Sequence, residues 1–200
     1  MHAIIYDCEF LTAPGAPQRF WCGPKDPDPV VAQLGLVRLD TTTGEITDQL
    51  RLHILPLDRH GQRIPLDPLF TRLTGITEDT LETEGLSLSD ALTRTASFAG
   101  EDTLWSWGKD EFNLLAISCY VQGITPPLPA TRFRNACDLL LAAGMPLADL
   151  HQTRSNTLPE YYDLTIPDAR GHDALGDALM VAHVLRHLIA EGHLTATDFR

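Results

Sequence analysis

Two carboxylates stand two residues apart in the apolar run Ile4-Ile5-Tyr6-Asp7-Cys8-Glu9-Phe10, almost at the start of the chain. Side chains alternate between the two faces of a β-strand, so Asp7 and Glu9 point one way while Tyr6, Cys8 and Phe10 point the other. A strand this apolar belongs inside, where two like charges side by side are costly unless water or a cation reaches them. The pair therefore reads as half of a divalent-metal site. On these seven residues alone, a solvated edge strand ending in Asp-x-Glu is the alternative.

Further acids stand downstream. Asp177 interrupts the apolar stretch Ala174-Leu175-Gly176-Asp177-Ala178-Leu179 and needs a partner if that stretch lies against a sheet. His172 precedes it by just over one helical turn, where an imidazole can reach what Asp177 binds. His172 and Asp173 are also suitable residues for a helix N-terminal cap. A third acid lies at the junction Ser106-Trp107-Gly108-Lys109-Asp110-Glu111, where the end of a strand would deliver it beside the first strand. Acids that start helices serve commonly as dipole partners, so this junction is ambiguous by itself.

These residues need elements to hold them. After the first strand, Thr12 to Pro29 carries five prolines and is expected to be a long surface loop. Phe20, Trp21 and Trp107 are its aromatic counterparts in question, either as loop anchors or as surfaces on which bases stack. Val30 to Leu39 and Glu45 to Ile54 read as strands joined by a turn at Asp40 to Gly44, giving a three-stranded antiparallel meander. Pro56 to Pro68 is polar and turn-rich. Short helical pieces follow at Leu69 to Leu73 and after Thr77, then a helix opens at Ser87 and stops at Gly100. Thr103 to Trp107 reads as a fourth strand that turns at Gly108 into a helix through Val121, half of a β-α-β unit. Thr131 to Arg134 reads as a short fifth strand, Ala136 to Ala143 as helix, and Leu147 to Gln152 and Leu158 to Tyr162 as short helices. Ile166 to Gly171 reads as loop. The last long helix is expected from His172 to Glu191.

The sequence of 200 residues is 44% hydrophobic and 21% charged, which suits a single globular domain. It shows no secretory signal and no run able to span a bilayer, so a cytoplasmic protein away from membranes is expected. Cys8, Cys22, Cys119 and Cys137 are scattered, which argues against a zinc knuckle or a disulfide framework. A formal net charge of −12 argues against gripping a long duplex through many phosphates. A short single strand or a 3′ end remains open to such a chain, because cations in the site would supply positive charge where the phosphate sits. With two lysines, Lys25 and Lys109, against thirteen arginines, phosphate contacts would fall mainly to arginine.

Asp-x-Glu, an acid after a middle strand, and His-x4-Asp in a late helix occur in that order. In this the chain resembles the DEDDh 3′ to 5′ exonucleases of the ribonuclease H-like superfamily. Asp7-Cys8-Glu9-Phe10 resembles the first motif of that family and His172-Asp173-Ala174-Leu175-Gly176-Asp177-Ala178 its third. Leu73-Thr74-Gly75-Ile76-Thr77 is similar to a segment near the terminal nucleotide, and Gln33-Leu34-Gly35-Leu36-Val37 to its second strand. Asp at position 173, in place of tyrosine, fits the histidine version of the family. The second motif departs from the pattern. Asp110 fits its residue type and Glu111 its spacing, and Asp110 is the choice made from sequence.

The resemblance implies an α/β, ribonuclease H-like fold, with a mixed five-stranded sheet flanked by helices and one exonuclease domain over 1–200. It implies that Asp7, Glu9, Asp110 (or Glu111) and Asp177 hold two Mg²⁺ or Mn²⁺ ions, with His172 as the base that takes the proton from water. It further implies Phe10, Leu11 and Thr74 as substrate-binding residues, the 3′ end of single-stranded RNA or DNA as partner, nucleoside 5′-monophosphates as products, and a homodimer as in many relatives. A metal phosphoesterase acting on small nucleotides, and a non-catalytic nucleic-acid or protein-binding module on the same fold, are the alternatives.

Overall fold

The first strand is the middle of everything. In the computed structural model, which describes residues 1–108, 110–166 and 170–200, β1 (His2–Phe10) lies third in a five-stranded sheet. The other strands are β2 (Val31–Asp40), β3 (Ile46–His53), β4 (Thr103–Ser106) and β5 (Phe133–Asn135), in the order β3-β2-β1-β4-β5. β1 pairs antiparallel with β2 and parallel with β4; β2–β3 is antiparallel and β4–β5 parallel. This is the mixed sheet expected from the sequence.

Helices cover both faces, and the pleat of β1 sorts its side chains between them. Ala3 and Ile5 pack with Leu139 and Leu140 of α5 (Ala136–Ala142) and with Ala178, Val181 and Leu185 of the last helix. Ile4, Tyr6 and Cys8 pack instead with Leu92 of α3 (Leu88–Ala99) and with Leu114 and Leu115 of α4 (Asp110–Gln122). Asp7 and Glu9 continue the Ala3–Ile5 face, which places them under the last helix. Two short helices, α1 (Pro68–Thr74) and α2 (Glu78–Glu84), lie between β3 and α3, and α6 (Leu147–Gln152) and α7 (Leu158–Tyr161) lie after α5. Side chains start α2 and α3 as expected, Thr77 accepting from the Thr80 N–H and Ser87 from the Asp90 N–H, and Asp67 does the same for α1 by accepting from the Leu69 N–H.

The last helix, α8 (Ala174–Ala190), begins two residues later than its sequence pattern suggested. Asp173 is the cap, accepting from the Gly176 N–H, while His172 sits outside the helix with φ +59°. The fifth strand is likewise later, because a single 3₁₀ turn occupies Ala130–Arg132. Lys109 and residues 167–169 of the expected 166–171 loop lie outside the described residues. Among the described residues no helix is long and apolar enough to cross a membrane.

What places α8 is a glycine. Gly35 pairs with Asp7 across β1–β2, and a Cβ there would overlap the backbone of Ala174 and Leu175. The absence of a side chain lets the start of α8 rest directly on β2, within reach of β1.

Candidate active site

Asp7, Glu9 and Asp177 converge. Each offers a carboxylate oxygen, and these oxygens lie within 4.8 Å of one another. Asp7 is 9% exposed and Asp177 6%, so little water screens their repulsion. They form the floor of a cavity of about 500 Å³, which Glu111 and His172 also line. Glu111 stands outside the 4.8 Å group yet faces the same space, with its buried Oε2 lacking any hydrogen-bond partner.

The start of α8 is clamped to the sheet by side chains as well as by close packing. The Ala174 N–H donates to Gln33 Oε1 (2.8 Å), and Gln33 Nε2 lies 3.0 Å from His53 Nε2, whose Nδ1 is 2.8 Å from Glu84. With its Oε1 accepting from the Ala174 N–H, Gln33 turns its Nε2 towards the His53 ring, which in turn is held against Glu84. Arg51 pairs with Asp173, the cap itself. With the helix start held, the His172 N–H donates to Asp177 Oδ2 (2.9 Å) and Ser155 Oγ lies 3.5 Å from Oδ1, so Asp177 is aimed from both sides.

The electrostatics of the cluster are strongly unfavourable to its own negative charge. Burial pushes the Asp7 carboxyl well above its ordinary range, and the negative charges of Glu111, Asp177 and Glu9 push it further. Burial also raises Glu9 to about 8, with Asp177 and Asp173 adding, and Glu111 to about 7, with Asp110 adding. Asp177 is raised by burial too, against the opposing hydrogen bond from the His172 N–H. Oxygen donors of this kind suit hard divalent cations, and the unpartnered Glu111 oxygen is a donor site that nothing in the fold consumes. The residues present therefore fit a divalent metal.

No protein-family model and no curated protein matches this sequence. Solved structures do. The nuclease domain of 3′hExo, described as a DEDDh family member bound to rAMP, superimposes with a TM-score of 0.75 at 19% identity, covering 96% of this chain and 94% of that one. The chain has the fold of that nuclease domain. Exonuclease X in complex with 5′-overhanging duplex DNA matches with a TM-score of 0.61 at 16% identity over 98% and 96% of the two chains. A zinc-bound complex of E. coli exonuclease I with single-stranded DNA matches with a TM-score of 0.61 at 15% identity; 92% of this chain spans 39% of that one.

Within this fold the expected residues separate into those the structure gathers and those it does not. Asp7, Glu9, Asp177, His172, Phe10 and Thr74 all line the cavity. Asp110 does not: it is exposed on the first turn of α4, and Glu111 faces the carboxylates instead. Of the two acids offered at this junction, the cavity therefore takes Glu111 and not Asp110 into its lining. The reason is helical phase, because one residue turns a side chain by about 100° and Gly108, at φ +78°, sets where the helix starts. Leu11 is also displaced from its expected place. The β1–β2 register shifts between Glu9 and Phe10, and Leu11 turns into the core, 2% exposed among Val30, Ala32 and Phe70.

Other cavity residues lie outside the set that the resemblance implied. Trp21 lines the wall, edge-on to Phe10 at 5.5 Å, with its indole N–H donating to the Leu11 carbonyl (3.0 Å). Phe20 and Trp21 are consecutive non-glycine residues at φ +53°, a strained backbone arrangement. Arg154, Ser155 and Asn156 come from the segment between α6 and α7, which the sequence marks only as a polar separator. Gln33 carried a usable signal, an amide in the middle of an apolar strand.

Proposed function

We propose that this protein is a metal-dependent 3′ to 5′ exonuclease of the DEDDh family that hydrolyses single-stranded RNA or DNA from its 3′ end to nucleoside 5′-monophosphates. The observation that carries the reading is the meeting of Asp7, Glu9 and Asp177 within 4.8 Å on the floor of a cavity that also holds His172. The rAMP in the similar 3′hExo nuclease domain, and the zinc and single-stranded DNA in the similar exonuclease I complex, support a nucleic-acid substrate and a metal.

Asp7, Glu9, Asp177 and Glu111 would hold two Mg²⁺ or Mn²⁺ ions. Cations bound there supply positive charge at the phosphate and lower the pKa of a nearby water. His172 takes the proton from the attacking water, and its place on the cavity wall, outside the helix, leaves the ring free to reach it. Asp177 fixes that residue by accepting its backbone N–H. Phe10, Trp21, Leu69 and Leu73 give the cavity apolar sides above a charged floor, the lining that a base and its phosphate each require.

The test uses 5′-labelled single-stranded RNA and DNA oligomers with Mg²⁺ or Mn²⁺. Shortening in single-nucleotide steps from the 3′ end is expected, and none with chelator. The strongly acidic chain also admits a second reading, a metal phosphoesterase on small nucleotides. Release of phosphate from a mononucleotide, with oligomers left intact, would establish that reading in place of ours.

A further inference from the structure

An acidic protein that cuts phosphodiesters still has to hold a phosphate, and thirteen arginines are available for it. The structure accounts for six of them elsewhere. Arg19 is paired with Asp26, Arg38 with Asp102, Arg51 with Asp173 and Arg63 with Glu78. Arg132 and Arg134 donate to backbone carbonyls at Gly100 and Thr131. Among the described residues one arginine lines the cavity, Arg154.

Arg154 is held at its backbone and left open at its head. Its N–H donates to Thr157 Oγ1 (3.0 Å), and its carbonyl accepts from the N–H groups of Thr157 (3.1 Å) and Leu158 (2.9 Å). The guanidinium makes one hydrogen bond, from Nη1 to the Thr153 carbonyl (3.1 Å). Four carboxylates line the same cavity, yet among the described residues Arg154 pairs with none of them. The adjoining residue, Ser155, is the one that approaches Asp177. A permanently charged fork is thus fixed one residue from the metal-binding floor, with N–H donors unspent.

Resting on the exonuclease reading of this cavity, we infer that Arg154 binds the non-bridging oxygens of the scissile phosphate, the group that leaves with the released nucleotide. A planar guanidinium matches two phosphate oxygens at once, is weakly hydrated, and keeps its charge beside bound cations. A phosphate held by both the cations and Arg154 should bind as a phosphate ester first and as a nucleoside only weakly. The recognised class is therefore a nucleoside 5′-phosphate group, either within a strand or as the free product, and the free product should inhibit.

The experiment measures equilibrium binding of adenosine 5′-monophosphate and of adenosine to the full chain in Mg²⁺, alongside kcat/KM on a single-stranded oligomer. Arg154→Ala should weaken binding of the monophosphate by roughly 10- to 100-fold, leave adenosine unchanged, and lower kcat/KM with it. Arg154→Lys should recover only part, because the charge returns without the fork. Arg94→Ala, which removes an exposed charge on α3 away from the cavity, should change neither. A thermal melt identical to wild type shows that the exposed Arg154 was not holding the fold. The inference is overturned if Arg154→Ala binds monophosphate and turns over like wild type, or if Arg94→Ala loses as much. A wild-type protein that neither binds the monophosphate nor shortens the oligomer overturns the exonuclease reading, and this inference with it; both working in wild type and in Arg154→Ala overturns Arg154 alone.

Discussion

The floor and the wall of the cavity are built on opposite terms. The floor is made of carboxylates set on a central strand and two helices, buried and mutually repelling, so the fold bears a cost there that bound cations would remove. The wall around Pro17 to Trp21 and Arg154 to Asn156 is set on loop segments with single 3₁₀ turns at Pro17–Arg19 and Ser155–Thr157, whose hydrogen bonds are local: Trp21 to Leu11, Phe20 to Pro17, Arg154 to Thr157. Rigid elements aim the charges that must meet within a few ångströms, and loops carry what adapts to a ligand. Substitutions on the floor should therefore trade activity against metal-free stability, whereas substitutions on the wall should leave stability nearly unchanged.

The largest break in that comparison is expected at Asp177 and Asp7. Asp177→Ala or Asp7→Asn should lower turnover on the order of a thousandfold, as removal of one preorganised charge from a reacting centre can do. The metal-free melting temperature should hold or rise, because a buried repulsion is relieved. A variant that unfolds, or one with full activity, would show that these side chains serve the fold and not the chemistry.

Next in size is the pair at the start of α4. Glu111→Gln should cost on the order of 10- to 100-fold in activity or metal affinity. Asp110→Asn, at an exposed position, should cost only a few-fold through the local field. Metal titrations of the two variants decide it, and the reverse order would return the ligand to Asp110.

The floor should also make metal-free stability depend on pH. Glu9 and Glu111 have native pKa values raised from 4.5 to about 8 and about 7. Between those limits the native state keeps protons that the unfolded chain has released, so stability falls as pH rises. The contribution is fully present below about pH 4.5 and gone by about pH 8. Melting temperatures measured in chelator should fall across that window, and Mg²⁺ should restore more stability at pH 8 than at pH 5. A flat profile in chelator would mean that water reaches and screens the cluster.

The smallest effect belongs to the 12–29 loop that carries part of the wall. Phe20 is 82% exposed at φ +53°, so Phe20→Gly loses little packing and relieves backbone strain. Its stability should stay within about 0.5 kcal/mol of wild type by denaturant unfolding. A larger loss would place Phe20 among the residues that order the 12–29 loop.

Several features were determined by the sequence acting locally. Period-two alternation puts Asp7 and Glu9 on one side of β1 whatever surrounds them, and the caps at Thr77 and Ser87 begin their helices through bonds made within three residues. The order of strands and helices was legible for the same reason, whereas the mixed five-stranded sheet was implied by the family resemblance and not by any local signal. Only the tertiary structure decided how separate segments are phased against one another. Whether Asp110 or Glu111 faces Asp7 depends on the angle at which α4 leaves Gly108. That Asp173 rather than His172 caps α8 depends on Gln33 and Arg51 holding that helix start from two strands. Leu11 turns inward because β1 shifts register against β2, and Arg154 reaches the cavity because the segment before α7 packs beside α8. Even the turn at Gly108 is held from a distance, its N–H donating to Asn135 Oδ1 (3.0 Å), and a local pattern carries no information about partners more than twenty residues away in the chain.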